Sequence, residues 1–304
     1  MDCRLCGKAG TRILGEIPDS DYFAGRVLGE PIRGGWLWGC DSCQSMFRHP
    51  ILTDERYLHL YECGAPTQWG GGEHRLDCRL ISSILSARPN IASVLDVGCG
   101  GGDFLVSLPQ RIGKFGVEPA VAAARNATAR GVSVIAPTID GLPDNAKFDA
   151  VTMIDLIEHL TDPGAFLSQI YSHVLPGGII VVSTGNPGNR IWRALLQSRF
   201  WYCGFPEHVS FPSLGFFQRW CESNPGASVS QHVTRYQRLS VWGAGLACLM
   251  QTAYFASPSV FDLVGRLGLN LIRTAPMGRR HFVPAIPGLF RDHHVVTITR
   301  PADS

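Results

Sequence analysis

The chain has 304 residues, 45% of them apolar and 17% charged, enough to fill a core and too apolar for a disordered tail. Its 27 Lys and Arg against 25 Asp and Glu leave a net charge of +2, with no Lys/Arg-rich run, which argues against a nucleic-acid footprint. The length suits two domains, or one large α/β domain with an appendage.

The opening Met1-Asp2-Cys3-Arg4 lacks the basic-then-apolar pattern of an export signal. The ten cysteines are therefore expected as thiols and metal ligands of an intracellular, cytoplasmic protein rather than as disulfides. Four of them form two pairs, Cys3-x-x-Cys6 and Cys40-x-x-Cys43, separated by 33 residues. One such turn points two thiolates at an ion, and two turns complete a tetrahedral shell. Residues 1–50 are thus expected to be a zinc knuckle module, its tight turns followed by Gly7 and Gln44 and joined by short strands such as Trp36–Trp38. Unliganded core thiols are the alternative. A segment this short has little core, so bound metal would supply much of its folding free energy. Four thiolates leave no open coordination position, which makes the zinc structural or acceptor-side rather than catalytic.

Residues 51–90 read as a linker, punctuated by Gly64, Pro66 and Gly70-Gly71-Gly72, that becomes helical. Leu76, Leu80, Ile81, Ile84 and Leu85 recur at helical spacing before Pro89. Tyr57, Leu60 and Tyr61 share a helical face that packs on the next domain or reaches its ligand.

From residue 94 strand and helix alternate. Strands are expected at Val94–Val97, Lys114–Glu118, Val132–Ala136, Ala150–Ile154 and Gly178–Ser183, with helices at Asp103–Leu108, Pro119–Arg130 and Pro163–Val174. Repeated βα units with apolar, β-branched strands imply a parallel sheet covered on both faces, with ligand at the carboxyl ends of the strands. Residues 184–304 are less regular and end in a strand, His293–Thr299. The uncharged run 239–261 is long enough to span a bilayer, but its polar residues and glycines favour apolar helices that cover the site or lie on a membrane surface.

The sharpest local signal is Asp96-Val97-Gly98-Cys99-Gly100-Gly101-Gly102, glycines placed directly between a strand and a helix. Such a turn lets backbone approach a ligand, and alone it suits several nucleotide cofactors. Glu118 follows 22 residues after Asp96, where a carboxylate can accept ribose hydroxyls. Asp140 follows the third strand, placed to accept from an adenine amino group. Asp155-Leu156-Ile157-Glu158-His159 and Leu175-Pro176-Gly177-Gly178 come next, in order.

As a set, these motifs resemble the class I S-adenosylmethionine-dependent methyltransferases. The resemblance implies an α/β fold, a Rossmann-like seven-stranded sheet whose last strand, His293–Thr299, is antiparallel, in a domain spanning 91–304. The zinc knuckle module would precede it, and an apolar helical insert at about 239–282 would come before the last strand. It implies that Gly98, Gly100 and Gly102 approach the methionine part of the cofactor, beside Cys99, a small residue in a crowded turn rather than a nucleophile. Asp96 would anchor the glycine turn or the amino group, Glu118 the ribose, Asp140 the adenine, with Asp155 on the cofactor side. The two cysteine pairs and Glu207-His208-Val209-Ser210-Phe211 are similar to bacterial sugar C-methyltransferases and their shorter relatives. Against that pattern, the apolar insert is expected to stand in place of the additional C-terminal domain of the full sugar C-methyltransferases.

His208 is the candidate general base, with Glu207 orienting it or capping a turn and His159 nearby; a structural histidine is the alternative for His208. In the similar quinone O-methyltransferases a like-placed acidic segment holds a divalent ion, which here would sit at Asp155, Glu158 and His159. Trp192, Phe200, Trp201, Tyr202 and Phe205 would wall an acceptor pocket or pack a lid. The expected acceptor is a sugar, glycan, or small polyketide- or quinone-like product, with peripheral membrane contact or a lipid-linked substrate left open. Arg279-Arg280-His281 would meet lipid phosphates or remain solvated surface. An rRNA base methyltransferase and a non-catalytic cofactor-binding scaffold are the rival functions; the near-neutral charge disfavours the first.

Overall fold

The computed structural model describes residues 1–24, 26–62, 75–257, 275–276, 282–283 and 291–303. Gly64, Pro66, Gly70-Gly71-Gly72, Arg279-Arg280-His281 and the end of the 239–261 run lie outside the described residues.

The N-terminal strands are β1 (Thr11–Glu16), β2 (Ser20–Phe23), β3 (Arg26–Ile32), β4 (Trp36–Cys40) and β5 (Met46–His49). Helices α1 (Asp54–Glu62) and α2 (Leu76–Ser86) follow. The central units are β6 (Ser93–Val97), α3 (Asp103–Ser107), β7 (Gly113–Val117), α4 (Val121–Ala129), β8 (Ser133–Ala136), β9 (Phe148–Ile154), α5 (Pro163–Ser172) and β10 (Val174–Gly185). The remainder comprises β11 (Ser210–Phe211), α6 (Leu214–Glu222), β12 (Ser228–Thr234), α7 (Val241–Ala256), β13 (Ala275–Pro276), β14 (Phe282–Val283) and β15 (His293–Thr299).

Seven strands form the main sheet in the order β12-β15-β10-β9-β6-β7-β8. β6 to β10 are mutually parallel, and β15 runs antiparallel between β10 and β12. Alternation along these strands fills two cores. Leu95, Val97, Val151, Met153, Ile180 and Val182 pack against Leu167 and Ile170 of α5 and Phe217 of α6. Val94, Ala150, Ile179 and Val181 pack against Ile81 and Leu85 of α2, Leu105 of α3 and Ala127 of α4. Helices on both faces explain why these strands are apolar throughout.

Two departures from the expected elements have local causes. Leu175-Pro176-Gly177-Gly178 is an irregularity inside β10, whose pairing with β9 starts at Val174 and shifts before Ile179. β12 reads Ser-Val-Ser-Gln-His-Val-Thr, an edge strand half exposed to water, so its sequence carries no apolar run.

The cysteine module's sheet is not built from residues 1–50 alone. β1-β4-β5-β11 form one four-stranded sheet, and its last strand comes from beyond the main sheet's β10. A shared apolar cluster joins Leu14, Leu37 and Met46 to Trp192, Phe200, Tyr202 and Phe211, and to Ala247, Met250 and Tyr254 of α7. Among the described residues no helix is long and apolar enough to cross a membrane. On α7, Val241 and Trp242 are each 89% exposed, and Leu249 is 67% exposed.

Candidate active site and zinc site

The metal module forms first, from local turns. Gly7 (φ +68°) and Gln44 (φ +62°) each follow a CxxC pair in the left-handed region, which turns the chain back so that the sulfurs converge. Sγ atoms of Cys3 and Cys43 lie 3.8 Å apart, and those of Cys6 and Cys40 3.7 Å. A regular tetrahedron with Zn–S bonds of 2.3 Å has sulfur–sulfur edges of about 3.8 Å. The four thiols, all within 4.8 Å of one another, therefore fit a structural zinc ion. The Cys43 thiol is pulled down to about 5, chiefly by the hydrogen bond from Cys3 and then by Ser45, while the same hydrogen bond, then burial, raises the Cys3 thiol.

The module grips the segment that carries His208. Arg4 donates to the Val209 carbonyl (2.5 Å) and to Ser210 Oγ (3.0 Å). Arg48, only 2% exposed, donates to the carbonyls of Cys203 (2.8 Å) and Phe205 (3.0 Å). The backbone N–H of Arg48 donates to Val209, and that of Val209 donates to Glu158. Ser213 donates through its hydroxyl to the Cys43 carbonyl. Sequence reasoning missed Arg4 and Arg48, whose partners lie more than 150 residues away.

At the carboxyl end of β6 the turn 98–102 uses Gly98, Gly100 and Gly102 at positive φ. A Cβ on Gly102 would meet Val132 Cγ2 at 2.9 Å, so close helix–strand packing excludes a side chain there. Glu118, not Asp96, anchors this turn: its Oε2 accepts from Gly100 N–H and its Oε1 from Ala120 N–H, both 2.8 Å. Each oxygen keeps a second lone pair for a ligand hydroxyl. Asp96 accepts from Thr152 Oγ1 at 2.6 Å, and burial pushes its carboxyl up to about 7. The Cys99 thiol is also raised, first by burial, and it lies against β7 where Gly116 leaves room, which suits a packing residue. Asp140 is exposed on a short turn and accepts from Gln169 Nε2 at 2.6 Å.

Past β9, Glu158, His159 and His208 present ligand atoms within 4.8 Å of one another. Asp155 is not one of this trio. Its Oδ2 instead pairs with Arg75 at 2.5 Å, so His208 takes the place expected for Asp155 beside Glu158 and His159. Glu158 is fully buried; it accepts from Thr184 Oγ1 (2.8 Å) and from the Tyr202 hydroxyl, and burial raises it to about 7. His159 Nδ1 lies 2.7 Å from the Tyr61 hydroxyl, which brings the α1 face into the site while Tyr57 and Leu60 pack with Val209.

His208 Nδ1 lies 2.8 Å from the Tyr202 carbonyl oxygen, which can only accept. Nδ1 therefore carries the proton and Nε2 holds the lone pair. Burial, with the charge of His159, lowers this imidazole well below its ordinary value, so it is neutral at pH 7. Glu207 does not orient it; the Tyr202 carbonyl does. Glu207 is 7% exposed with Oε2 lacking a hydrogen bond, and burial raises its carboxyl while His159 and Arg48 oppose the rise. Tyr202 and Phe205 flank the His208 ring at 4.3 and 5.0 Å. Trp192 and Phe200 stack on each other at 4.7 Å in the apolar cluster, and so serve packing.

A Rossmann-like sheet of this strand order, with a glycine turn clamped by an acidic residue ending the second strand, defines a nucleotide-cofactor-binding α/β protein of the S-adenosylmethionine-binding kind. The methyltransferase-domain family profile matches residues 72–224, half of the chain. The chain belongs to that family. It is 36% identical over 109 residues to the ubiquinone biosynthesis O-methyltransferase of Bradyrhizobium sp. (strain ORS 278), covering 33% of this chain and 42% of the relative. With the ubiquinone biosynthesis O-methyltransferase of Serratia proteamaculans (strain 568) it is 31% identical over 156 residues, covering 46% and 65%. The chain thus spans less than two thirds of the length of these curated relatives. A solved S-adenosylmethionine-dependent methyltransferase of Thermotoga maritima aligns with 80% of this chain and 99% of its own, at 18% identity and a TM-score of 0.47.

Proposed function

We propose that the chain transfers the methyl group of S-adenosylmethionine to a hydroxyl or carbon of a small acceptor, a sugar, glycan or natural product, with His208 as general base. The observation that carries this reading is the His208 tautomer: Nδ1–H is committed to the Tyr202 carbonyl, leaving Nε2 to accept a proton. The bound cofactor would supply an electrophilic methyl on a sulfonium. Gly98, Cys99, Gly100 and Gly102 would bring backbone against its methionine part, with Asp96 and Asp155 near its amino end. Glu118 would take the ribose hydroxyls and Asp140 the adenine amino group. His208 Nε2 would receive the acceptor's proton as the oxygen or carbon bonds to the methyl. Tyr202, Phe205 and Tyr61 would exclude water around it.

The O-methyltransferase names of the relatives support oxygen as the atom methylated. The trio Glu158, His159 and His208 supports a second reading of the same site, in which a divalent ion binds there and polarises the acceptor hydroxyl. The exposed Val241, Trp242, Leu246 and Leu249 of α7 support a hydrophobic or lipid-linked acceptor and peripheral membrane contact from the cytoplasmic side.

The test is transfer of labelled methyl into a source-cell extract, separated into organic and aqueous phases. Label in the organic phase supports a lipid-linked or hydrophobic acceptor; label in the aqueous phase supports a soluble sugar or glycan. Salt-sensitive incorporation into RNA would revive the rRNA reading.

A further inference from the structure

Beside the His208 cluster lies a second buried polar group that the proposed reaction leaves unused. His293 opens β15 and pairs with Gly185 at the end of β10 and Thr234 at the end of β12, so it sits on the same sheet edge as Asp155. Its side chain has no exposed surface. Nδ1 lies 3.3 Å from Asp292 Oδ1, and Nε2 faces Asp155 Oδ1 at 3.8 Å. Among the described residues neither ring nitrogen makes a directed hydrogen bond, and Asp155 Oδ1 makes none either.

We infer that His293, held from behind by Asp292, is a positioning residue that fixes the Asp155 carboxylate at the edge where cofactor and acceptor meet. Asp155 needs such restraint. It adopts φ +51°, a left-handed conformation unusual for a non-glycine residue, and its side chain is 27% exposed. Arg75 restrains only Oδ2, while its other donors engage both oxygens of Asp77. His293 supplies the second restraint, on Oδ1.

Charge balance supports this role. The Arg75 guanidinium faces both Asp77 and Asp155, one cation for two carboxylates, and an imidazolium at His293, between Asp292 and Asp155, supplies a second. The other groups facing the ring are Tyr236 at 5.0 Å and Tyr202 at 5.3 Å, with His294 next in the chain and the His208 imidazole close enough to oppose its charge. Burial alone would lower the His293 imidazole, yet Asp292, then Asp155 and Asp77, raise it above its ordinary value. Sequence reading took this residue only as the start of a strand.

The inference rests on the proposed place of Asp155 at the cofactor, and the experiment separates the two. His293 is titrated by NMR in the ligand-free protein and in Asp155→Asn. It should titrate above an ordinary imidazole in the wild type and at lower pH in the variant; an unchanged titration overturns the contact. Binding of S-adenosylhomocysteine is then measured from pH 6 to 9 by calorimetry. Wild-type affinity should fall several-fold as His293 loses its proton, while His293→Gln should bind several-fold more weakly at pH 6 and lack the part of the fall that follows the His293 titration. A His293→Gln profile matching the wild type overturns the positioning role. A wild-type protein that binds no S-adenosylhomocysteine, yet shows the coupled titration, overturns the proposed function and with it the role at the cofactor, while leaving the His293–Asp155 contact standing.

Discussion

Ser210 pairs with Phe47 across an antiparallel ladder, so the strand that directly follows His208 is the edge strand of the cysteine module's sheet. Zinc ligation and placement of the candidate base are therefore mechanically linked. The knuckle turn sets β5, β5 sets β11, and Arg4 and Arg48 fix the carbonyls on either side of His208.

This link makes metal content a test. The purified protein should hold about one zinc ion per chain, as four thiolates require, and Cys40→Ser should hold far less. Stripping zinc with a chelator should lower the melting temperature and abolish methyl transfer together. Absence of zinc, or unchanged content in Cys40→Ser, would contradict the fit of the four sulfurs. A second metal ion retained by the wild type and lost in His159→Ala would favour the divalent-ion reading.

Arg48→Met should be costly although it removes no residue proposed to touch substrate. The guanidinium satisfies two buried carbonyls, and their loss should destabilise by about 3 kcal/mol, measured by urea denaturation. A change below about 0.5 kcal/mol would mean that water replaces the guanidinium.

Glu118→Ala removes both acceptors that brace the glycine turn and the proposed ribose contact. Affinity for S-adenosylhomocysteine should drop at least tenfold, a loss of about 1.4 kcal/mol or more. Calorimetry measures it directly.

Asp96 gives a pH-dependent signature of stability. Its folded carboxyl is raised to about 7, whereas an unfolded Asp titrates near 3.9. Between those values the folded state holds a proton that the unfolded chain has released. The contribution is thus complete below about pH 4 and is lost as pH rises to about 7. Relative to Asp96→Asn, the wild type should lose up to about 4 kcal/mol across that window. Urea melts of both proteins at pH 4.5 and 7.5 measure the difference.

Features encoded over short stretches were legible in the sequence. The glycine turn, the CxxC pairs and the apolar strands each announce themselves within ten residues, and β15 was bounded correctly at His293–Thr299. Longer-range pairings were not. Arg75 and His293 acquire their roles only when the sheet edge brings Asp155 beside them, and Arg48 only when Cys203 folds against β5, and an isolated Arg or His has no periodicity to betray it. β12 escaped because an edge strand exposes alternate residues and needs few apolar ones. The Asp155–Glu158–His159 grouping failed for a related reason: spacing placed three residues on one segment, but Arg75 drew Asp155 away and His208 arrived from a different one.

The central claim is tested most directly by comparing His208→Ala with the wild type, measuring labelled methyl transfer and S-adenosylhomocysteine affinity on the same zinc-loaded preparations. The account predicts a rate at least 100-fold lower with affinity changed by less than a few fold, as loss of a general base requires. Equal rates would contradict the role of His208, and a wild-type protein that binds the cofactor product yet transfers no methyl group would contradict the enzyme itself.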